Sequence, residues 1–223
     1  MGKHTHKILL MNLLYNYISI EGSIGAGKTS LVQKLAKEYN ANLLLEQFAD
    51  NPFLAKFYEE PERYGFSVEL YFTAERYRQL KEFLVQQNNS LFNSITVSEF
   101  IFHKSLVFAG NNLKDDELKL YRMLFNIMLP TLPKPDVVFY LYASVDDLLR
   151  NIKKRGRSYE QNIKGEYLEN IQKAYLDYFR QMPELKVVLL DTKQFDFIGN
   201  KDDFNYLKEL LSTEFNKGIT TIK

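Results

Sequence analysis

Apolar residues in this chain form short unbroken runs that alternate with longer stretches of three-and-four spacing. The runs are Tyr17-Ile18-Ser19-Ile20, Asn42-Leu43-Leu44-Leu45, Ile95-Thr96-Val97-Ser98, Asp136-Val137-Val138-Phe139-Tyr140-Leu141 and Lys186-Val187-Val188-Leu189-Leu190. Runs of this length without polar alternation predict strands buried on both faces. Between them, Leu31, Val32, Leu35, Ala36 and Tyr39 recur at helical spacing. A short helix carrying Phe53, Leu54, Phe57 and Tyr58 is predicted to start at Asp50-Asn51-Pro52, with Pro52 suited to a first helical position and Pro61 as interruption. A long helix over 65–87 has an apolar stripe of Phe66, Leu70, Tyr77, Leu80 and Leu84. Further helices are expected over 102–109, 117–129 (stopped by Pro130, Pro133 and Pro135), from Ser144 into a basic stretch, over 166–180, and around Phe204, Leu207, Leu211 and Phe215. Ser144 with Asp147 three residues on has the pattern of a helix cap.

Five such strands alternating with helices predict an α/β fold: a five-stranded parallel sheet with helices on both faces, a three-layer sandwich. Glycines and prolines fall between elements and no flexible linker or repeat interrupts them, so 17–217 is expected to be a single domain behind a poorly ordered leader, 1–16. That leader places Lys3, His4, His6 and Lys7 before Ile8-Leu9-Leu10-Met11, superficially like a signal peptide, but the run is short and no small-residue cleavage site follows. Met11 is a second candidate start.

Charge narrows the partners. Across 223 residues, 29 Lys and Arg balance 28 Asp and Glu, a net charge of +1, so no polyanion signature implies nucleic acid. Cysteine is absent, which excludes disulfides and thiolate metal sites and fits a reducing cytoplasm. No apolar run approaches the roughly 20 residues of a spanning helix, so no membrane partner is expected.

The most informative stretch joins the first strand to the first helix. Gly22-Ser23-Ile24-Gly25-Ala26-Gly27-Lys28-Thr29-Ser30 fits G-x-x-x-x-G-K-[ST]. Three glycines let the backbone curl so that its N–H groups converge on phosphate oxygens. Lys28 reaches the outer phosphates, the Thr29 hydroxyl can sit on Mg²⁺, and the helix N-terminus adds its positive end. Strand, loop and helix are the context such a cradle needs, and they predict a nucleoside triphosphate site.

In parallel sheets the ligand lies outside the carboxyl ends of the strands. The second strand ends on Glu46 and the third on Glu99. Facing a triphosphate, one carboxylate can hold Mg²⁺ and the other can accept the proton of an attacking hydroxyl. The basic segment Arg150, Lys153, Lys154, Arg155, Gly156, Arg157 suits a helix C-terminus, and Arg155 and Arg157, beyond the helix, suit a lid over a transferring phosphoryl group.

With these residues in view, the chain resembles the deoxynucleoside kinase family, particularly its bacterial deoxyadenosine/deoxyguanosine kinase branch, from about Tyr17 to Leu211. The phosphate loop, D-N-P-F-L-A-K-F-Y-E-E-P-E-R-Y-G-F from Asp50, R-G-R from Arg155, and Val188-Leu189-Leu190-Asp191 leading into a loop beside the adenine carry the likeness. The resemblance implies a P-loop nucleotide kinase-like fold and ATP- and Mg²⁺-dependent transfer of the γ-phosphoryl to a deoxynucleoside 5′-hydroxyl. It further implies Glu46 as the base, Tyr58 and Glu160 on the sugar 3′-hydroxyl, Arg76 in the nucleoside pocket, Arg155 and Arg157 in the lid, and Glu99 in a D/E-R-S motif tied to Mg²⁺ and proton acceptance. Relatives are usually dimers, which the apolar stretches 118–129 and 171–179 permit.

Three positions depart from the family pattern. Glu99-Phe100-Ile101 lacks the motif arginine, for which Lys104 or a lid arginine are the available substitutes. Glu69 stands where the family has a base-reading glutamine. A carboxylate only accepts hydrogen bonds, and guanine offers it two adjacent donors, so Glu69 tilts the expectation toward deoxyguanosine. A pairing of Glu69 with Arg76, about 10.5 Å along the same helix face, is the competing reading. The first lid arginine falls at Asn151, with Arg150 one residue, roughly 100° of helix, away. The resulting expectation is a deoxynucleoside kinase of purine preference. A nucleotide-binding protein without catalysis and, more weakly, a nucleoside-monophosphate kinase are the alternatives.

Overall fold

A computed structural model of the chain describes residues 13–47, 51–89 and 95–222. Met11, the rest of 1–12, and Asp50 lie outside the described residues. Residues 13–16 are not a frayed leader: Tyr15 is 4% exposed, and its hydroxyl donates to Thr213 O and accepts from Phe215 N.

Six strands make the sheet: β1 (Tyr17–Gly22), β2 (Asn42–Leu44), β3 (Thr96–Ser98), β4 (Val137–Tyr142), β5 (Lys186–Asp191) and β6 (Gly218–Ile222). Their order is β2-β3-β1-β4-β5-β6, and every neighbouring pair is parallel. The expectation of five strands missed β6, which lies past the expected domain end at 217 yet pairs with β5 over five residues. Its sequence, Gly-Ile-Thr-Thr-Ile, has no continuous apolar run, because an edge strand is half exposed. The second strand is likewise an edge: Asn42 and Leu43 are exposed, contrary to the buried strand expected there.

The helices are α1 (Lys28–Tyr39), α2 (Leu54–Glu59), α3 (Pro61–Asn89), α4 (Lys104–Asn112), α5 (Asp115–Met128), α6 (Val145–Arg155), α7 (Gly165–Gln181) and α8 (Lys201–Leu211). Strand β4 shows how two layers form around the sheet. Val137, Phe139 and Leu141 point into one core with Leu31 and Leu35 of α1 and Leu207 of α8. Val138 and Tyr140 point into the opposite core with Ile171, Tyr175 and Phe179 of α7. A third cluster packs Leu80 and Phe83 of α3 and Phe125 of α5 on Tyr17 and Phe100.

Three local expectations need correction. Pro61 interrupts the chain between α2 and α3 as expected, but it also opens α3, which starts before the expected residue 65, the missing N–H costing nothing in the first turn. Pro52 lies in the turn before α2, where Asn51 Oδ1 accepts from Phe53 N at 2.9 Å. The buried face of α3 is Val68, Glu69, Phe72, Thr73, Arg76, Leu80 and Phe83, while Phe66, Leu70, Tyr77 and Leu84 of the expected stripe are only half-buried. Three of those buried positions are polar, so an apolar stripe could not trace them. The Ser144 cap forms as expected, its Oγ accepting from Asp147 N at 3.2 Å.

Candidate active site

The loop after β1 is shaped by what crowds it. A side chain at Gly22 (φ 153°) would put its Cβ 2.8 Å from Leu141 O, and one at Gly25 (φ 87°) 2.7 Å from Leu148 O. Strand β4 and helix α6 thus press on the loop, and only glycine fits. Asn151 of α6 adds a hydrogen bond from Nδ2 to Gly25 O at 2.9 Å. Arg150 turns aside to pair with Asp147. Inside the loop Ala26 N donates to Ser23 O, the Ser23 hydroxyl is buried without a hydrogen-bond partner, and Ile24, Gly27 and Ser30 line the cavity in front. Lys28 curls over the mouth, Nζ donating to Gly22 O and Ser23 O, both at 2.9 Å. Burial, then the charge of Lys104, lower its ammonium to about 8.

Strands β2 and β3 deliver the two carboxylates as expected. Glu46 is 7% exposed and held by two cations. Arg76 Nε and Nη2 donate to its Oε1 at 2.8 and 2.5 Å, and Lys104 Nζ donates to its Oε2 at 2.5 Å. Burial alone would raise this carboxyl, but Lys104 and Arg76 outweigh it and hold it at about 2. Glu99, 2% exposed, accepts from Thr29 Oγ1 at 2.5 Å on one oxygen and from Glu46 N at 3.4 Å on the other. Thr29 and Glu99 therefore meet as an oxygen donor pair beside the loop. No group of three or more acidic or histidine side chains is placed to hold a metal ion among the described residues. Two hard oxygens and an open side suit Mg²⁺, which keeps waters and phosphate oxygens in its shell.

Across the cleft, Glu69 is 3% exposed. Its Oε1 accepts from Asn112 Nδ2 at 2.7 Å, whereas Oε2 is buried without a hydrogen-bond partner. Burial raises this carboxyl to about 7 against the opposing pull of Arg76. The competing pairing of Glu69 with Arg76 is not made: the Arg76 hydrogen bonds run to Glu46 and, at 2.9 Å, to Ser105 Oγ. Tyr58 is half-buried and stacks on Tyr159 with centroids 6.1 Å apart. Glu160, 3% exposed, receives both arginines expected in a lid, Arg155 on Oε2 and Arg157 on Oε1 at 3.2 Å; Arg155 is the last residue of α6, not beyond the helix as expected. In this conformation the two arginines close on Glu160 rather than on the loop.

One cavity of about 970 Å³ is lined by the loop together with Glu46, Glu99, Glu69, Tyr58 and Glu160. Beyond β5, Phe195 and Phe197 form a further wall, and Lys34 ties it to α1 through Phe197 O and Ile198 O, both at 2.9 Å. Ser105 and Asn112 are not among the candidates the sequence singles out, and Lys104 is there only as a substitute. Their signal is nonetheless present: polar residues at the ends of a helix that otherwise looks buried and apolar.

The model of the deoxynucleoside kinase family matches residues 18–216. The deoxyguanosine kinase of Bacillus subtilis is 34% identical over 203 residues, covering 87% of this chain and 97% of that protein. The deoxyadenosine/deoxycytidine kinase of the same organism is 29% identical, covering 88% and 91%. Among solved structures, deoxyadenosine kinase from M. mycoides with dCMP and a flexible dCDP bound superposes with a TM-score of 0.75 at 24% identity, covering 87% of this chain and 97% of that one. That likeness shows the P-loop kinase fold.

Proposed function

The chain belongs to the deoxynucleoside kinase family, and from that premise we propose that it transfers the γ-phosphoryl of ATP to the 5′-hydroxyl of a deoxynucleoside, deoxyguanosine in preference. The observation that carries this reading is Glu46, buried and held by Arg76 and Lys104, in one cavity with the phosphate loop. The loop N–H groups and Lys28 hold the triphosphate, which displaces the Lys28 ammonium from Gly22 O and Ser23 O. Tyr58 and Glu160 hold the sugar, and the arginines that Glu160 now binds are released to close over the phosphates. Glu46 takes the hydroxyl proton. A carboxylate near 2 is a weak base, which suits a transfer whose proton leaves late and whose barrier is set by positioning and charge. Thr29 and Glu99 would hold Mg²⁺, which would supply neutralisation of the phosphate charge.

Glu69 supports the guanine preference. In its ionised form, which two arriving donors would favour, its unpartnered Oε2 and its Oε1 together offer a pair of acceptors to the N1–H and N2–H₂ donors. The balanced charge and the absence of cysteine support a cytoplasmic place, and an exposed apolar face on α5 supports a homodimer. The test is a phosphoryl-transfer assay with ATP and Mg²⁺ against the four deoxynucleosides and their monophosphates. Turnover on deoxyguanosine with Glu46→Gln reduced at least about 100-fold is expected. ATP binding without turnover on any acceptor would make the chain a non-catalytic nucleotide binder instead.

A further inference from the structure

We propose that Lys104 is a catalytic residue of this site, whose ammonium leaves Glu46 when the nucleoside hydroxyl arrives and binds the oxygens of the phosphoryl group in transit. Lys104 opens α4, is 4% exposed and lines the same cavity as the phosphate loop. A purely structural ion pair accounts for it poorly. Glu46 already receives two hydrogen bonds from Arg76, which is fixed in turn by Ser105. Lys104 is a second cation on the same carboxylate, and of its three donors it uses one, toward Glu46 Oε2. Burying an ammonium with donors to spare costs more than the pair returns unless another acceptor arrives.

The surrounding charge points to an anion. Lys28, Arg76 and Lys104 converge on a cavity where Glu46 and Glu99 are the facing carboxylates of the reaction end. Glu21 also faces Lys104 and Lys28, but burial pushes its carboxyl up, and its oxygens are taken by Ile101 N and the Tyr175 hydroxyl. Lys28 and Lys104 repel each other across this space. A phosphoryl group between them relieves that repulsion. The side chain that follows Glu99 supplies no charge, because Phe100 is fully buried among Tyr17, Leu80 and Phe83.

The step balances without further reagents. The 5′-oxygen forms its bond to the γ-phosphorus as the bond to the β–γ bridging oxygen breaks. The hydroxyl proton passes to Glu46, ADP leaves, and Lys104 takes no part in the proton transfer, its Nζ moving from the Glu46 carboxylate to the phosphoryl oxygens. This rests on Glu46 as the proton acceptor and on deoxynucleoside kinase activity of the parent, so the parent is assayed first.

The experiment compares parent, Lys104→Gln and Lys104→Arg in steady-state kinetics, with thermal unfolding as the folding control. Loss of a charge that acts only in the transition state is expected to lower kcat roughly 100-fold or more in Lys104→Gln, with the nucleoside KM within about threefold. Lys104→Arg is expected to recover at least about a tenth of parent kcat. A folded Lys104→Gln with kcat within about fivefold of an active parent overturns the proposal, as does a loss confined to KM. A crystal structure of the parent with deoxyguanosine, ADP and aluminium fluoride needs no variant to fold. Nζ on a fluoride supports the assignment, and Nζ still on Glu46 overturns it.

Discussion

Glu69 has a consequence for stability as well as for selectivity. Its carboxyl stands at about 7 in the folded chain against an ordinary 4.5, because burial disfavours the charge. Between those values the folded state binds a proton that the unfolded chain releases. Stability therefore falls as pH rises from 4.5 through 7, by ~1.4 kcal/mol for each pH unit crossed and on the order of 3 kcal/mol in total. Glutamine does not titrate. Without nucleoside, Glu69→Gln is expected to gain melting temperature over the parent at pH 8 and to lose most of that advantage at pH 5. An unchanged difference across that range would mean the carboxyl titrates normally. In kinetics, the same variant offers one donor and one acceptor, so its kcat/KM ratio is expected to move from deoxyguanosine toward deoxyadenosine by about 10- to 100-fold. The side chains of this end of the site are hard to find by pattern. Glu69, Thr73 and Arg76 lie on the buried face of α3, and a search for apolar periodicity passes over a polar face turned inward.

Helix α6 and the loop after β1 act together, since α6 supplies both the carbonyl that Gly25 approaches and the Asn151 amide that holds it. Gly25→Ala is expected to lose ATP binding by calorimetry and about 2–4 kcal/mol of stability, combining positive φ with a backbone clash. Gly27→Ala is the control: its φ is 85°, but nothing lies within 4 Å of its Cβ. It should cost about 1 kcal/mol and leave most of the structure undisturbed. Equal losses in both would remove the clash as the cause. Elements of this kind are legible in the chain because their chemistry is local: a glycine loop between a strand and a helix, or a serine cap. The central strands β1 and β4 are legible because full burial writes a continuous apolar run. The edge strand β6 writes none and escapes, whereas β2 carries the run Leu43-Leu44-Leu45 and looks buried although it too is an edge. The break at Pro61 is legible, but the start of α3 on that residue is not, because a first-turn proline and a helix breaker look alike in sequence.

At the scale of the whole molecule, the two apolar stretches open to an interface separate cleanly. Ile171, Tyr175 and Phe179 of α7 are buried against the sheet, so that helix is spent on the core. Helix α5 is not. Tyr121 and Phe125 face inward, while Leu120, Met123 and Ile127, at 48, 64 and 71% exposure, form a stripe along its outer side, and Val85 of the neighbouring α3 is 60% exposed. An apolar stripe of this length on an outer helix suits a two-fold interface in which α5 packs against α5 of a second copy, each covering the same residues of the other. The inner side of α5 bears on the site: Tyr121 hydroxyl meets Thr73 Oγ1 and, at 3.2 Å, Ser105 O, next to the contacts of Arg76. Pairing α5 would thus stiffen the wall that holds Glu46. The parent is expected to sediment as a dimer at micromolar concentration, and Met123→Glu with Ile127→Glu as a monomer. Because both residues are exposed in the single chain, the melting temperature of the variant should fall only by the lost linkage to dimerisation. Its kcat should drop as Arg76 and Glu46 lose their backing. A parent that remains monomeric at tens of micromolar would sink the interface, and a monomeric variant with full kcat would sink the coupling while leaving the interface intact.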